Sequence, residues 1–309
     1  PAKGRHRGHV TGMIGILGAG SLGRLWGAVL PVGSVAFIAR PGEPTDTDLS
    51  YRFRSFDGPE AAVRVPFLKA GDEPELILAT TKAGDTLNAL AGVIDQFPVD
   101  TPILLFQNGL GSQQAVAARW PERPILAAST TEGANRPEAG LLVHAGTGET
   151  WVGPLTESAR LCVNGAVAIL ADSGLAIHSE PAILQRLWQK LIINAGINPY
   201  TAILNCANGE ILSAQLYQNT IDELCQELSK LMSAAVQVRE TPESLRQRIE
   251  QVARKTAGNT SSMRADVLRN RPTEIDFING YLAKLGKELG IDTPVNQMLT
   301  ERVQQLSPH

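Results

Sequence analysis

Three glycines near the start of the chain have the spacing of a turn that binds phosphate groups. Gly18, Gly20 and Gly23 follow the short apolar run 14–17 and open a stretch with apolar residues at helical spacing. In such a strand-turn-helix the first glycine permits the tight turn, the second leaves room for a pyrophosphate, and the third lets the helix lie close to the strand. An ordinary turn is the alternative, but the flanking strand and helix favour a dinucleotide site. Its predicted members are Gly18, Ala19, Gly20, Ser21, Leu22 and Gly23.

A row of polar side chains in an apolar helical segment is the second candidate. Lys190, Asn194 and Asn198 follow one another at four-residue intervals, which places them along one face of a helix. Leu187 and Leu191 lie beside that face, and a polar row among apolar residues is costly to bury unless something pairs with it. A solvated helix side is the alternative, yet asparagine is a poor helix former, so two on one face need another reason.

The end of the second predicted strand bears on which dinucleotide is bound. Arg40 lies about 20 residues beyond the glycines, where an Asp or Glu binds the ribose hydroxyls of NAD and an Arg suits the 2′-phosphate of NADP. Glu43 comes only after Pro41 and Gly42 have turned the chain. A solvated arginine in a turn is the alternative. The position favours NADP.

Polar residues follow two further buried strands. Thr80, Thr81 and Lys82 end the predicted strand 75–82, and Asn108 follows the run 102–106. Ligands of open α/β sheets bind at the carboxyl ends of the strands, so we expect these side chains near the cofactor. An Asn-Gly pair is also a common hairpin turn, but a hairpin needs a second strand and residues 112–120 have a helical pattern instead.

The elements that position these residues alternate between strand and helix, as a parallel sheet requires. Residues 51–67, turning at Asp57-Gly58, are expected to add edge strands to the sheet, and 141–152 is expected to form a hairpin around Gly146 and Gly148. After Pro181 strands nearly vanish and long helical patterns take over. The predicted fold class is α/β, with a Rossmann-type domain over residues 13–179 and an all-helical domain over residues 180–309.

Composition narrows the class of protein. The chain of 309 residues is 43% hydrophobic and 19% charged, which is typical of a globular protein. Residues 1–12 are basic and apolar-poor and are interpreted as an expression remnant; without Lys3, Arg5 and Arg7 the net charge changes from −3 to −6. Nucleic acid is therefore not an expected partner, and no apolar run is long enough for a membrane span. Three cysteines without paired spacing predict neither a disulfide framework nor a metal site.

At this point the motifs carry a resemblance to a known family. From Met13 to about Gln305 the chain resembles the ketopantoate reductases, which reduce 2-dehydropantoate to pantoate with NADPH on the way to pantothenate and coenzyme A. The resemblance covers both predicted domains. The motifs are the glycine turn, Thr81-Lys82-Ala83, Gln107-Asn108-Gly109-Leu110-Gly111, Trp188-Gln189-Lys190-Leu191 to Asn198-Pro199, Asn208-Gly209-Glu210, Asn259-Thr260-Ser261-Ser262-Met263 and Thr273-Glu274-Ile275-Asp276-Phe277-Ile278-Asn279-Gly280.

The resemblance implies a role for each matching position. Lys190 stands where the family has its catalytic lysine, and Glu274 where it has its essential carboxylate. Asn108 matches the asparagine near the nicotinamide and the substrate, and Asn108 and Glu274 also stand among the cofactor contacts. Arg40 and Lys82 match contacts to the NADPH phosphates. The positions implied to contact the substrate are Asn108, Asn194, Asn198, Asn208, Asn259 and Ser262.

The implied reaction suits these residue types. Hydride transfer to a ketone builds negative charge on the carbonyl oxygen, and a lysine can both stabilise that charge and donate the proton that completes the alcohol. Glu274 can accept from the terminal hydroxyl of pantoate, and Ser262 with Asn259 can donate to its carboxylate. The alternative for Glu274 is a place in the first turn of a helix, with Thr273 as cap and Asp276 completing a capping box.

Two functions of different classes follow from the sequence. The first is an NADPH-dependent reductase of 2-dehydropantoate, with another branched 2-oxo acid as a variant. The second is a non-catalytic NADP-binding sensor that kept the fold and lost the reaction. The joint presence of Lys190, Asn194, Asn198, Ser262 and Glu274 favours the reductase. We expect a cytoplasmic monomer or homodimer with a small-molecule partner.

Overall fold

The structure is a computed structural model that describes residues 12–306. The expression remnant predicted over residues 1–12 lies, apart from Gly12, outside the described residues. The described strands are β1 (Ile14–Leu17), β2 (Val35–Ile38), β3 (Leu49–Arg54), β4 (Glu60–Val65), β5 (Leu76–Ala79), β6 (Ile103–Leu105), β7 (Ile125–Thr130), β8 (Gly133–Asn135), β9 (Leu141–Gly146), β10 (Glu149–Pro154) and β11 (Ala176–Ser179).

The same part of the chain forms ten α-helices and several shorter 3-10 helices. No helix within residues 12–306 is both long and apolar enough to cross a membrane. The helices are α1 (Ser21–Val29), α2 (Ala83–Ala91), α3 (Ser112–Arg119), α4 (Val163–Ala171), α5 (Ile183–Leu204), α6 (Gln215–Val236), α7 (Pro242–Lys255), α8 (Ser262–Leu268), α9 (Asn279–Leu289) and α10 (Pro294–Gln304).

A seven-stranded sheet is the centre of the N-terminal part. Its order is β11-β10-β7-β6-β5-β1-β2, and every pairing is parallel except that of β10 with β7. All residues of β1, β2, β5, β6 and β7 are buried, because helices cover both faces of such a sheet and the strands are therefore continuously apolar. The predicted α/β fold with a parallel sheet is confirmed.

The predicted edge strands form a separate sheet instead. Strands β3 and β4 make the expected antiparallel hairpin, but they pair in the order β4-β3-β9-β8; of the predicted segment 51–67, Phe67 forms a parallel bridge with Phe37 at the edge of the large sheet. Tyr51 and Phe53 are buried in the apolar core that contains Trp26, while Arg52 and Arg54 face outward and pair with Glu60. A strand with one buried and one solvated face suits a sheet that is exposed to solvent on one side. It does not suit a sheet that helices cover on both faces.

The predicted hairpin of residues 141–152 is wrong. Strand β9 pairs with β3 and β8, whereas β10 pairs with β7 and β11, so the chain crosses from one sheet to the other between them. A Cβ atom at Gly148 would lie 2.3 Å from Thr131 Oγ1. The glycine in this segment therefore permits a close backbone crossing and does not form a hairpin turn.

The described residues from Ile183 onward form helices and no strands, as the sequence predicts. The long helix α5 packs on α7 at Gly196, where an added Cβ would lie 2.5 Å from Ile249 Cδ1. Buried Tyr200 on α5 also meets Tyr217 on α6, with ring centroids 5.2 Å apart. These contacts fix α5, the helix that carries the polar row, in the middle of the helical part.

The chain divides into two compact units. The first extends through Thr81 and also contains Asp85–Phe106 and Val116–Pro181. The second contains Lys82–Gly84, Gln107–Ala115 and the chain from Ala182 onward, so it includes the residues that follow β5 and β6. Because of these two segments, the predicted site residues Lys82 and Asn108 belong to the second unit. The domain limits 13–179 and 180–309 stay a prediction.

Candidate active site

In the first unit the three glycines of the turn have three different environments. Gly18 has a φ of +107°, which only glycine adopts easily, so the chain turns sharply after β1. A Cβ at Gly23 would lie 2.0 Å from the carbonyl oxygen of Gly18, whereas one at Gly20 would meet no atom within 4 Å. The turn therefore combines a tight bend, a close helix contact and open space beside bare backbone. These are the three properties that the glycine spacing predicts for a dinucleotide-binding turn.

Neighbouring side chains hold this turn in place. Thr80 donates its hydroxyl hydrogen bond to the carbonyl oxygen of Gly18 at 2.8 Å, and Arg24 Nε donates to the carbonyl oxygen of Ala19 at 2.8 Å. Ser21 and Leu22 are the first residues of α1 and are half-buried. Thr80, which the sequence placed near a cofactor, thus braces the turn.

Arg40 lies in the first unit, just beyond the end of β2. Its backbone N–H donates to Glu43 Oε2 at 2.9 Å, and the N–H of Glu43 donates back to the carbonyl oxygen of Arg40 at 2.9 Å. The carboxylate of Glu43 is thereby turned towards the backbone of Arg40. The arginine side chain itself is exposed, so its guanidinium is accessible to an anionic group.

In the second unit Lys190 and Asn108 form a direct side-chain contact. Lys190 Nζ donates to Asn108 Oδ1 at 2.9 Å. Burial lowers the pKa of Lys190 to about 8, and the negative charge of Glu274 acts in the opposite direction. An ammonium with this pKa is both charged near neutral pH and able to give up its proton.

The backbone around Asn108 is held by close contacts within the same unit. Gly109 has a φ of +74°, and a Cβ there would lie 2.1 Å from the carbonyl oxygen of Phe277. That oxygen accepts a hydrogen bond from the N–H of Leu110 at 2.9 Å. Glycine at this position therefore lets the Asn108 loop lie against the segment that follows Glu274.

Gln113 is a residue of this site that the sequence analysis missed. Its fully buried Nε2 donates to the carbonyl oxygens of Gln107 and Gly109, at 3.0 and 3.1 Å, and so bridges the two residues that flank Asn108. A glutamine in a helix is ordinarily a surface residue. Only its place in the first turn after the Asn-Gly pair marks it in the sequence.

Glu274 precedes the 3-10 helix Ile275–Phe277 and accepts a hydrogen bond from the backbone N–H of Ala83 at 3.3 Å. Burial raises the pKa of Glu274, while this N–H and the cations of Lys82 and Lys190 act against the increase. The capping-box alternative is wrong, because the short helix has no side-chain cap and Asp276 accepts from Gln304 instead. Glu274 thus stands at the N-cap position without capping the helix through its side chain, and its carboxylate interacts electrostatically with Lys190 instead.

The remaining predicted residues have varied surroundings in the second unit. Lys82 Nζ donates to Asp266 Oδ1 at 3.2 Å, and Asn198 is buried on α5 while Asn194 is half-buried. Asn208 donates its backbone N–H to the carbonyl oxygen of Asn259 and its Nδ2 to Thr256 Oγ1, both at 3.0 Å. The oxygen Asn208 Oδ1 is buried without a hydrogen-bond partner.

Asn259 and Ser262 are exposed, which their predicted role in binding a solute permits. Ser262 begins helix α8, but the cap of that helix is Ser261, whose Oγ accepts from the N–H of Arg264 at 3.0 Å. The buried Ser261 hydroxyl also bonds to Thr201 Oγ1 at 2.6 Å. Ser261 therefore has a structural role that leaves the side chain of Ser262 outside the cap.

Comparison with known proteins identifies the family. Residues 14–157 match the family model described as ketopantoate reductase PanE/ApbA, and residues 182–307 match the model of its C terminal part. A 2-dehydropantoate 2-reductase from Vibrio cholerae serotype O1 is 34% identical over 301 residues, which cover 94% of this chain and 96% of that relative. The chain belongs to the ketopantoate reductase family. The resemblance drawn from the sequence is confirmed.

Other members of the ketopantoate reductase family have the same extent. A 2-dehydropantoate 2-reductase from Archaeoglobus fulgidus is 32% identical over 298 residues, covering 93% of this chain and 95% of the relative. A crystal structure of the probable 2-dehydropantoate 2-reductase from Bacillus subtilis has a TM-score of 0.80 and 27% identity, and covers 96% of this chain and 100% of that chain. Both parts of the fold are therefore those of the family.

A ketopantoate reductase is an oxidoreductase, and its cofactor is a nicotinamide dinucleotide. The glycine turn fits such a group, because a side chain at Gly20 would fill the open space beside the backbone that a pyrophosphate needs. The first backbone N–H groups of α1 have no partner within the helix, and such groups at a helix N-terminus bind phosphates. The exposed Arg40 adds a positive charge in the same unit.

Proposed function

We propose that this protein reduces 2-dehydropantoate to pantoate with NADPH, the reaction of pantothenate and coenzyme A biosynthesis. The observation that carries the proposal is a half-buried lysine, Lys190, whose Nζ lies 2.9 Å from Asn108 Oδ1 and whose pKa is lowered to about 8. The names of the relatives from Vibrio cholerae and Archaeoglobus fulgidus support the same reaction.

Lys190 is the proposed acid. When bound, the nicotinamide cofactor would supply a hydride to the carbonyl carbon of the substrate, so that negative charge would build on the carbonyl oxygen. The Lys190 ammonium stabilises this charge and gives the oxygen its proton, which completes the alcohol. Asn108 accepts one N–H of the ammonium and so fixes its direction without neutralising it, as a carboxylate in the same place would.

The other residues of the second unit are proposed to bind the substrate. Glu274 accepts from the terminal hydroxyl, and Ser262 with Asn259 donates to the carboxylate. Asn194 and Asn198, on the same face of α5 as Lys190, contact the substrate and also orient the ammonium. Asn208 is the remaining substrate contact, because its buried Oδ1 still lacks a donor. On the cofactor side Arg40 and Lys82 are proposed to bind the phosphates of NADPH, with Asn108 and Glu274 near the nicotinamide.

The pH dependence follows from the pKa of Lys190. Since the acid must carry its proton, kcat/KM for 2-dehydropantoate is expected to be level below pH 7 and to decline about tenfold per pH unit above about pH 8. Initial rates from pH 5.5 to 10 measure the profile. Lys190→Arg, which stays protonated over this range and is a much weaker acid, should be far slower than wild type and should show no decline of its own. A profile that stays level up to pH 10, as the ordinary lysine pKa of 10.5 would give, would contradict the assignment.

The cofactor preference tests Arg40. Arg40→Ala should raise the KM for NADPH by about 10- to 100-fold, because a charge-assisted contact to the 2′-phosphate is lost. The KM for NADH should change less than about twofold, since NADH lacks that phosphate. Arg64→Ala, another exposed arginine of the first unit, is the matched control. Equal effects of Arg40→Ala on both cofactors would refute the assignment to the 2′-phosphate.

The decisive experiment for the proposed function is the loss of NADPH absorbance when 2-dehydropantoate is added to the purified protein, with other 2-oxo acids in parallel. Fast oxidation that prefers 2-dehydropantoate is expected. Preference for another branched 2-oxo acid would keep the reaction class and change the substrate. If NADPH binds and no 2-oxo acid is reduced, the protein is the non-catalytic sensor, which the names of the relatives do not favour.

A further inference from the structure

A proline directly after Asn198 interrupts the backbone hydrogen bonds of α5. Pro199 lies inside the helix Ile183–Leu204 and has no N–H, so it gives no hydrogen bond to the carbonyl oxygen four residues earlier, that of Ala195. The proline ring also pushes against that carbonyl group. Ala195 directly follows Asn194, and Asn198 directly precedes Pro199. The helical hydrogen bonds alone therefore do not fix how the turn of α5 that contains Asn198 is oriented relative to the preceding turn, which contains Asn194.

A side chain from another helix replaces the missing donor. Asn279, the first residue of α9, donates from Nδ2 to the carbonyl oxygen of Ala195 at 3.2 Å. Asn279 is fully buried, and its Oδ1 has no hydrogen-bond partner. A buried amide with an unpaired oxygen is costly, so packing alone does not explain an asparagine at this position. Its donor hydrogens are the property that the position requires.

Asn279 is itself held by a buried chain of polar groups. Its Nδ2 also donates to Asn296 Oδ1 at 3.1 Å, and Asn296 Nδ2 donates to Glu227 Oε1 at 3.0 Å. The Glu227 carboxylate further accepts the N–H groups of Val295 and Asn296, at 2.9 and 3.0 Å, in the first turn of α10. Three successive side chains from α9, α10 and α6 thus support one carbonyl oxygen of α5.

We propose that Asn279 is a positioning residue, which sets the relative orientation of Asn194 and Asn198 by binding the Ala195 carbonyl oxygen that Pro199 leaves unpaired. Asn296 and Glu227 hold Asn279 in that position. The inference rests on the proposed function, because it assigns the α5 face to the substrate. It predicts that Asn279 affects binding of the 2-oxo acid and not binding of NADPH.

A double-mutant cycle with Pro199 tests the proposal. Asn279→Leu should raise the KM for 2-dehydropantoate about tenfold, the effect of one lost buried hydrogen bond, with the KM for NADPH within about twofold of wild type. In the Pro199→Ala background residue 199 regains an N–H for Ala195, so Asn279→Leu should then raise that KM less than about threefold. Thr300→Val is the control, because it removes a different buried polar group beside Asn296, a hydroxyl that donates to the Asn296 carbonyl oxygen.

The outcomes separate positioning from packing. Equal effects of Asn279→Leu in both backgrounds, or equal increases in both KM values, would overturn the proposal. If Asn279→Leu does not fold, folding of the Pro199→Ala, Asn279→Leu double variant supports it, and failure of the double variant as well overturns it. The Tm values of the same four proteins should show the same coupling. If the four Tm values are coupled but the wild-type protein reduces no 2-oxo acid, the proposed function is refuted and the structural contact of Asn279 with Ala195 still stands.

Discussion

Lys190→Met is expected to lower the turnover of 2-dehydropantoate by about 10²- to 10⁴-fold, the range that a positioned acid contributes. Methionine keeps most of the apolar stem and removes the ammonium, so the space on α5 stays filled. The affinity for NADPH should change less than about twofold, because Lys190 is not among the residues proposed to bind the phosphates of NADPH. Turnover is measured by NADPH oxidation at saturating substrate, and affinity by NADPH fluorescence titration.

Lys230→Met is the matched control for this variant. Lys230 is an exposed residue of α6 in the same unit, and its loss should leave turnover within about twofold of wild type. Turnover of Lys190→Met within tenfold of wild type would show that another group supplies the proton. Weakened NADPH binding with normal turnover would place Lys190 on the cofactor side instead.

The same substitution has an expected effect on stability, with a definite pH window. The pKa of Lys190 is about 8 in the folded protein and 10.5 for an ordinary lysine, so the unfolded chain binds more protons between these values. The unfavourable burial of the charge is therefore complete below pH 8 and is relieved as the pH rises towards 10.5. Lys190→Met should raise the Tm at pH 7 and lose this advantage near pH 10. Such a variant folds better and reacts worse, as expected for a functional group.

The sequence predicts the parts of the fold that short patterns determine. Strands buried on both faces are continuously apolar, so β1, β5 and β7 are recognisable one at a time. The glycine turn is equally local, since the atoms that would clash with a Cβ at Gly18 or Gly23 belong to the turn itself or to the residues directly after the neighbouring strand β5. Helical spacing likewise places Lys190, Asn194 and Asn198 on one face of α5.

Sheet membership depends on distant pairing and was predicted wrongly twice. Nothing near β9 shows that its partner is β3, which lies about 90 residues earlier, with Arg52 paired to Leu141. The alternating pattern of β3 predicts one buried face and says nothing about which sheet buries it. The glycines at 146 and 148 fit either a turn or a close crossing, and only the position of Thr131 distinguishes them.

The candidate site shows the same division. The polar row on α5 is visible in the sequence, whereas the Lys190 to Asn108 contact joins residues 82 positions apart. Gln113 and Asn279 were missed as supporting residues because each acts on a backbone carbonyl oxygen, which no side-chain pattern reveals. Pro199 is the one local signal among them, since a proline inside a helix always leaves a carbonyl oxygen without its donor.

Glu274→Gln should produce the second large effect. The KM for 2-dehydropantoate is expected to rise about 10- to 100-fold, because a charged acceptor for the substrate hydroxyl becomes a neutral one. Turnover should fall much less than in Lys190→Met. Asp276→Asn, an exposed carboxylate two residues further along the chain, is the matched control and should change neither constant by more than about twofold.

The pH profile of Glu274→Gln distinguishes a charge near the acid from a simple substrate contact. The carboxylate of Glu274 raises the pKa of Lys190 against the effect of burial, so its removal should lower that pKa below about 8. Because the protonated lysine is the acid, the decline of kcat/KM at high pH should then begin at a lower pH than in wild type. A higher KM with an unshifted profile would leave Glu274 as a substrate contact alone. A shifted profile with an unchanged KM would make it only an electrostatic partner of Lys190, so the two measurements assign both parts of its role.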